Sequence, residues 1–143
     1  MTLSDWATRH GVSAAALREL GQLVTERVSH TRGLRTEADV QSAVRIARAR
    51  DGWRLWRNNV GACLDTRGRA VRYGLANDSA ALNAKLKSSD LVGIGPGGRF
   101  VARECKAPGW VYRGTDREEA QLAFILLVRG MGGDAAFTTG EGE

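Results

Sequence analysis

Residues 88–106 read Ser-Ser-Asp-Leu-Val-Gly-Ile-Gly-Pro-Gly-Gly-Arg-Phe-Val-Ala-Arg-Glu-Cys-Lys. Two short apolar segments flank a Gly-Pro-Gly-Gly turn, and a chain with this pattern folds back on itself as a hairpin. The strands expected are Asp90 to Ile94 and Arg99 to Lys106. Side chains alternate along a strand, so Glu104 and Lys106 share one face. The turn sets which residues lie opposite, so Asp90 converges on Glu104. Two carboxylates about 4 Å apart repel by roughly 4 kcal/mol at an effective dielectric of about 20. A divalent cation relieves that repulsion, and hard oxygen ligands suit Mg²⁺ or Mn²⁺. A metal-bound water and a nearby ammonium, Lys106, are what phosphodiester hydrolysis needs. Taken alone, the pattern also describes an ordinary hairpin with a Glu–Lys pair.

The chain has 143 residues, 43% hydrophobic and 26% charged. That composition describes one globular domain, with enough chain to bury a core without disulfide or metal staples. Two cysteines and two histidines are too few and too scattered for a structural zinc site. Cys63 and Cys105 read as buried thiols. No signal-peptide pattern is present, and the longest apolar run, 122–128, is too short to span a membrane. A cytoplasmic setting is therefore expected, with no membrane partner. The net charge of +5 suits a polyanion. Arginines 45, 48, 50, 54, 57, 67, 69 and 72 crowd one stretch. They make either a solvated face or a phosphate-binding one.

Residues 1–30 read as two short helices, the first capped by Ser4 and ended by Gly11, the second capped by Ser13. Such a pair is either a packed appendage or a helix-turn-helix. Residues 31–35 read as a linker. Thr36 and Asp39 form a capping box that opens a helix with Val40, Val44 and Ala47 on one face, and Asp51-Gly52 ends it. Glu37 lies in its first turn, where a carboxylate complements the helix dipole. Trp53 to Asn59 alternates as a strand, Asp65 to Arg69 is a turn, and Ala70 to Tyr73 is a strand that pairs back. Residues 75–88 allow either a turn or two of helix or an ordered loop. Thr115 and Glu118 cap a helix running to about Val128, apolar nearly all round and so covered on two sides. Residues 133–138 make a last strand, and 140–143 a tail.

The pieces Glu-Ala-Asp-Val-Gln (37–41), Ser-Ser-Asp-Leu-Val-Gly-Ile (88–94), Phe-Val-Ala-Arg-Glu-Cys-Lys (100–106), Glu-Glu-Ala-Gln-Leu-Ala-Phe (118–124) and Gly-Gly-Asp-Ala-Ala-Phe (132–137) occur in a telling order. Across residues 36–139 the chain resembles the PD-(D/E)xK nucleases. It is most similar to the small stand-alone phage and bacterial members of the virus-type replication-repair nuclease (VRR-NUC) group. That resemblance implies an α/β fold of restriction-endonuclease type, a mixed central sheet flanked by helices, with residues 1–35 as a helical extension. It implies that Asp90, Glu104, Lys106, Glu37 and Gln121 are catalytic. Asp90, Glu104, Glu37 and the backbone carbonyl of Cys105 would hold Mg²⁺ or Mn²⁺. Ser89 stands where the superfamily nominally has proline.

The function implied is a metal-dependent DNA endonuclease, a homodimer selective for branched DNA such as Holliday junctions, working in the cytoplasm, that of a bacterial host cell if it is encoded by a phage or prophage. The apolar helix 116–128 is a candidate dimer interface. Arg57, Asn58, Asn59, Tyr73 and Lys87 are candidate DNA contacts. Trp110 and Tyr112 either stack on a base or cover the core. The rival readings are a less selective, flap-cutting or restriction-like nuclease, and a DNA-binding module on the same fold that does not cut.

Overall fold

A computed structural model describes residues 1–25 and 33–140. The expected helix end at 26–30, residues 31–32 of the linker and the tail at 141–143 lie outside the described residues. The elements are α1 (Leu3–Arg9), α2 (Ala14–Leu23), α3 (Glu37–Arg50), β1 (Arg54–Arg57), β2 (Gly61–Leu64), β3 (Ala70–Tyr73), α4 (Ala80–Lys85), β4 (Leu91–Ile94), β5 (Phe100–Cys105), α5 (Asp116–Gly130) and β6 (Asp134–Thr138). A four-stranded sheet has the order β1-β4-β5-β6. β1–β4 and β4–β5 are antiparallel, and β5–β6 is parallel, so the sheet is mixed. The protein is α/β, with helices on both faces of that sheet.

Local chemistry explains the helix starts. Thr36 Oγ1 accepts from the Asp39 N–H, and Asp39 returns a bond to the Thr36 N–H. Thr115 and Glu118 repeat the arrangement at α5. Each box satisfies backbone donors that the first helical turn leaves without partners. Ser13 caps α2 as expected. The first helix starts earlier than Ser4 predicts: Thr2 is its cap, in a box with Asp5. Ser4 sits inside α1, and its hydroxyl donates to Glu119 Oε1 (2.8 Å), tying α1 to α5.

α3 covers one face of the sheet through Val40 and Val44, which pack with Leu55, Leu91, Val101 and Cys105. α5 covers the other through Leu122 and Ile125, which pack with Ala102, Ala135 and Phe137. Val24 joins this second core, and Phe137 N–H donates to the Val24 carbonyl (3.1 Å). The N-terminal helices are thus a packed appendage that shares the α5-side core. Tyr112 is buried against Phe137, and Trp110 leans on the same ring. Both aromatics cover the core. Trp110 is further held by its Nε1–H donating to Glu118 Oε1 (2.9 Å).

The strand at Trp53 differs from expectation in length and partner. It ends at Arg57 and pairs with β4 in the register Arg54↔Ile94 to Arg57↔Leu91. Ala70–Tyr73 pairs instead with Gly61–Leu64, in a separate two-stranded sheet. The alternation at 53–59 correctly marks a strand, but periodicity carries no information about a partner over thirty residues away. β2–β3 has no covering layer, so Cys63 is exposed rather than buried, together with Leu64 and Val71. Residues 75–88 contain one short helix, α4, capped by Ser79.

β1 can lie against β4 because position 93 has no side chain. A Cβ added at Gly93 would stand 1.8 Å from the Arg54 carbonyl oxygen. Gly97, in the hairpin turn at φ 75°, has open space around it. Gly93→Ala is expected to lower unfolding stability in urea by about 3 kcal/mol or more. Gly97→Ala should cost only about 1 kcal/mol of left-handed backbone strain. Equal losses would contradict the β1–β4 pairing.

Candidate active site

The β4–β5 hairpin places the acids. Leu91 lies opposite Arg103. One residue further, Asp90 stands beside Glu104, just before β4 begins, and both side chains project on the α5 face. Asp90 Oδ2 accepts from the Cys105 N–H (2.9 Å). The aspartate thereby continues the hairpin's hydrogen bonding one step past the paired strands. N–H and C=O of a strand residue leave on the same side. The Cys105 carbonyl therefore faces the Asp90 side, as a backbone ligand would require.

Glu104 is 2% exposed and Lys106 7% exposed, burial that is rare for charged groups unless they are partnered. Lys106 Nζ donates to Glu104 Oε1 (3.1 Å) and to Gln121 Oε1 (2.9 Å). Gln121 Nε2 donates to the same Glu104 oxygen. These three side chains form a closed ring of hydrogen bonds between β5 and α5. Lys106 lies over the rings of Trp110 and Phe137, at 5.6 and 5.9 Å from their centroids. The ring commits one oxygen of Glu104. The other, Oε2, and Oδ1 of Asp90 have no protein donor among the described residues.

Both carboxyls are shifted in the same direction. Burial, then the charge of Asp90, pushes Glu104 up to about 7. Burial raises Asp90, against the pull of the Cys105 N–H and Lys106. Burial carries the Cys105 thiol far above its ordinary range, so it is not a nucleophile.

Asp90, Glu104 and Gln121 wall a cleft of about 240 Å³. Lys106 stands behind Glu104 rather than on the cleft wall. Glu37 is exposed in the first turn of α3, and its charge acts on Asp90 and Cys105 from the opposite side of the sheet's end. Among the described residues, no three His, Cys, Asp or Glu side chains stand close enough to hold a metal. The structure thus brings Asp90, Glu104, Lys106 and Gln121 together, while Glu37 joins no three-ligand cluster among the described residues though its charge reaches Asp90. Mg²⁺ is commonly held by one or two carboxylates, with water and substrate oxygens completing the shell. Two uncommitted carboxylate oxygens facing one cleft, both raised in pKa by burial and Glu104 also by the charge of Asp90, fit that requirement.

The other expected contacts divide. Lys87 lines the cleft, donates to Asn83 Oδ1, and is lowered in pKa by burial and then by Arg117 and Arg72. Asn58 also lines the cleft, but as a brace. Its Nδ2 donates to Ser88 Oγ (2.7 Å) and the Ser89 carbonyl (2.9 Å), and its Oδ1 accepts from Leu75 N–H (3.1 Å). Arg57 and Asn59 are exposed beside it. Tyr73 is half-exposed, with its ring over Gly61, where a Cβ would meet the hydroxyl at 2.5 Å.

Arg72, Asn77, Asn83 and Arg117 complete the cleft, and sequence reasoning did not assign them to it. Asn77 is 3% exposed. Its Nδ2 donates to the Gly61 and Tyr73 carbonyls (both 2.8 Å), and its Oδ1 accepts from Arg72 Nη2 (2.6 Å). The sequence leaves residues 75–88 open between a turn or two of helix and an ordered loop, and neither reading announces this buried bonding.

No family model, curated protein or solved structure matches this chain.

The pKa of Glu104 links folding to pH. Protonation is easier in the fold than in the unfolded chain, so the folded state is favoured below about pH 4.5. That advantage is lost as pH rises through about 7. The metal-free protein should lose on the order of 3 kcal/mol of stability across this window. Thermal unfolding in EDTA at pH 5 and pH 8 checks this. Glu104→Gln should remove most of the slope, and an unchanged slope would place Glu104 in water.

Proposed function

We propose that this chain is a metal-dependent nuclease of the PD-(D/E)xK kind, similar to the VRR-NUC group, that hydrolyses DNA phosphodiesters. One observation carries the reading. Two adjoining carboxylates, Asp90 and Glu104, share a cleft with three cations, Arg72, Lys87 and Arg117. Carboxylates on one wall suit a divalent cation, and cations on the other suit a phosphate. A helix pair or a passive DNA-binding surface has no use for the buried acids.

Asp90 Oδ1, Glu104 Oε2 and the Cys105 carbonyl would hold Mg²⁺ or Mn²⁺. Such an ion, when bound, supplies charge neutralisation at the phosphate and acidifies a water. Lys106 favours the ionised form of Glu104, against the effect of burial, and orients it by engaging Oε1. Two of its three N–H donors are spent on Glu104 and Gln121, which leaves one for a water or a developing negative charge. Gln121 fixes the ammonium from α5 and presents its own amide to the cleft. Glu37, exposed in the first turn of α3, would add negative charge near such an ion.

The finer reading is junction resolution by a homodimer. A two-fold dimer presents two active sites to two symmetric strands of a Holliday junction. Leu75, Phe100, Leu127 and Met131 are exposed around an apolar hollow near the C-terminal end of α5, and are the surface we assign to the subunit contact. No helix among the described residues is long and apolar enough to cross a membrane.

Cleavage of labelled four-way junctions, flaps and linear duplex in Mg²⁺ tests both levels. Glu104→Gln and Lys106→Ala should each lower the single-turnover rate by about a hundredfold or more, with the fold retained. Wild-type rates within a fewfold on all three DNAs would support the less selective nuclease and defeat junction resolution. Cleavage unaffected by Glu104→Gln would remove the proposed site.

A further inference from the structure

The cationic wall of the cleft is built, not incidental. Arg72 lies on β3, in the small sheet outside the main core. Its Nε donates to the Asn77 carbonyl (3.1 Å) and its Nη2 to Asn77 Oδ1 (2.6 Å). Asn77 is itself fastened to both strands of the β2–β3 hairpin through the Gly61 and Tyr73 carbonyls. A buried asparagine thus spends its whole bonding capacity on locking the hairpin and holding one guanidinium. Arg117 projects to the same cleft from the first turn of α5, and Lys87 from the segment before β4.

These three cations are neighbours in charge as well as in space. Arg117 and Arg72 both lower the Lys87 ammonium, after burial. None of the three is ion-paired with a carboxylate among the described residues. By contrast, the exposed Arg69 on the same hairpin is paired with Asp65 (2.8 Å). Three cations held together outside any direct ion pair, one of them fixed by a buried amide and with only the acids across the cleft to offset them, suit a bound anion. The cleft is smaller than a typical ligand pocket, so it admits a phosphate with its sugar rather than a whole base pair.

We propose that Arg72, Lys87 and Arg117 form a phosphate-binding subsite for the backbone phosphate next to the scissile one. The inference rests on the nuclease reading for what lies alongside, but the subsite's binding does not require cleavage. Arg72 is its geometric anchor, because its planar fork is pre-set by Asn77. Lys87 and Arg117 add charge from the other two sides. The subsite sets the register of the strand, so that one phosphodiester falls between the cationic wall and the Asp90–Glu104 wall.

The test is binding of a fluorescein-labelled single-stranded DNA dodecamer in EDTA, read by anisotropy over a salt series. Arg72→Met and Arg117→Met should each weaken binding by about tenfold and shallow the log–log salt slope by about 0.7, the increment per phosphate contact on a single strand. Arg69→Met, which removes the same charge from the same hairpin outside the cleft, should change affinity less than threefold. Arg117 is exposed on a helix surface, so its variant keeps the test sound if Arg72→Met unsettles the hairpin. Equal effects of Arg69→Met and the two cleft variants, or no effect of either cleft variant, would overturn the subsite. The dodecamer with a 5′-phosphate and with a 5′-hydroxyl should bind equally. A strong requirement for the 5′-phosphate would overturn the assignment to an internal phosphate. If the cleft variants weaken binding and wild type cuts nothing in Mg²⁺, the subsite stands and the nuclease reading falls.

Discussion

A carboxylate buried beside another carboxylate is the constraint around which this structure is arranged. Ionised Glu104, cut off from water next to Asp90, is unstable unless something answers its charge. Two partners answer on one side: Lys106 and Gln121 both reach Oε1. α5 is the element that delivers Gln121, so its docking on the sheet serves the carboxylate as well as the core. The Cys105 N–H answers Asp90 in turn. Among the described residues, no donor answers the two oxygens facing the cleft, Glu104 Oε2 and Asp90 Oδ1.

The rest of the fold sets those atoms in place. The β4–β5 register decides that Asp90 meets Glu104, and the close approach of β1 at Gly93 holds β4 in its plane. α3 seals the far face with Val40 and Val44, so Cys105 is buried. The second, smaller sheet has no comparable core. Asn77 joins both of its strands and presents Arg72 to the cleft, and Leu75, just after β3, is tied to Asn58 and Ser88. One cleft therefore has a wall of anions from the main sheet and a wall of cations from the hairpin, α5 and the segment before β4.

Much of this is legible in the amino-acid order because it is local. The Gly-Pro-Gly-Gly turn, the Thr36 and Thr115 capping boxes and the alternation of residues 100–105 each announce an element within a few residues. The Asp90–Glu104–Lys106 convergence follows from the turn alone. Gln121 came with a resemblance, and its bond to Glu104 could not be read from spacing. The pairing of β1 with β4 is a long-range choice with no local signature, and so the strand at Trp53 was matched to the wrong neighbour. β2 escaped notice because Gly61–Leu64 shows no alternation, and with it went the exposure of Cys63. Glu37 is a different case: its place in the element order suggested a ligand, and it stands exposed in the first turn of α3 with its charge acting on Asp90.

The central claim is that Asp90 and Glu104 together make one divalent-cation site. Calorimetric titration of Mn²⁺ into the protein at pH 8, where Glu104 is ionised, tests it most directly. Saturable binding is expected for the wild type, lost in Glu104→Gln and in Asp90→Asn while Glu37→Gln still binds. Absence of saturable Mn²⁺ binding, or binding that survives both Glu104→Gln and Asp90→Asn, would contradict it.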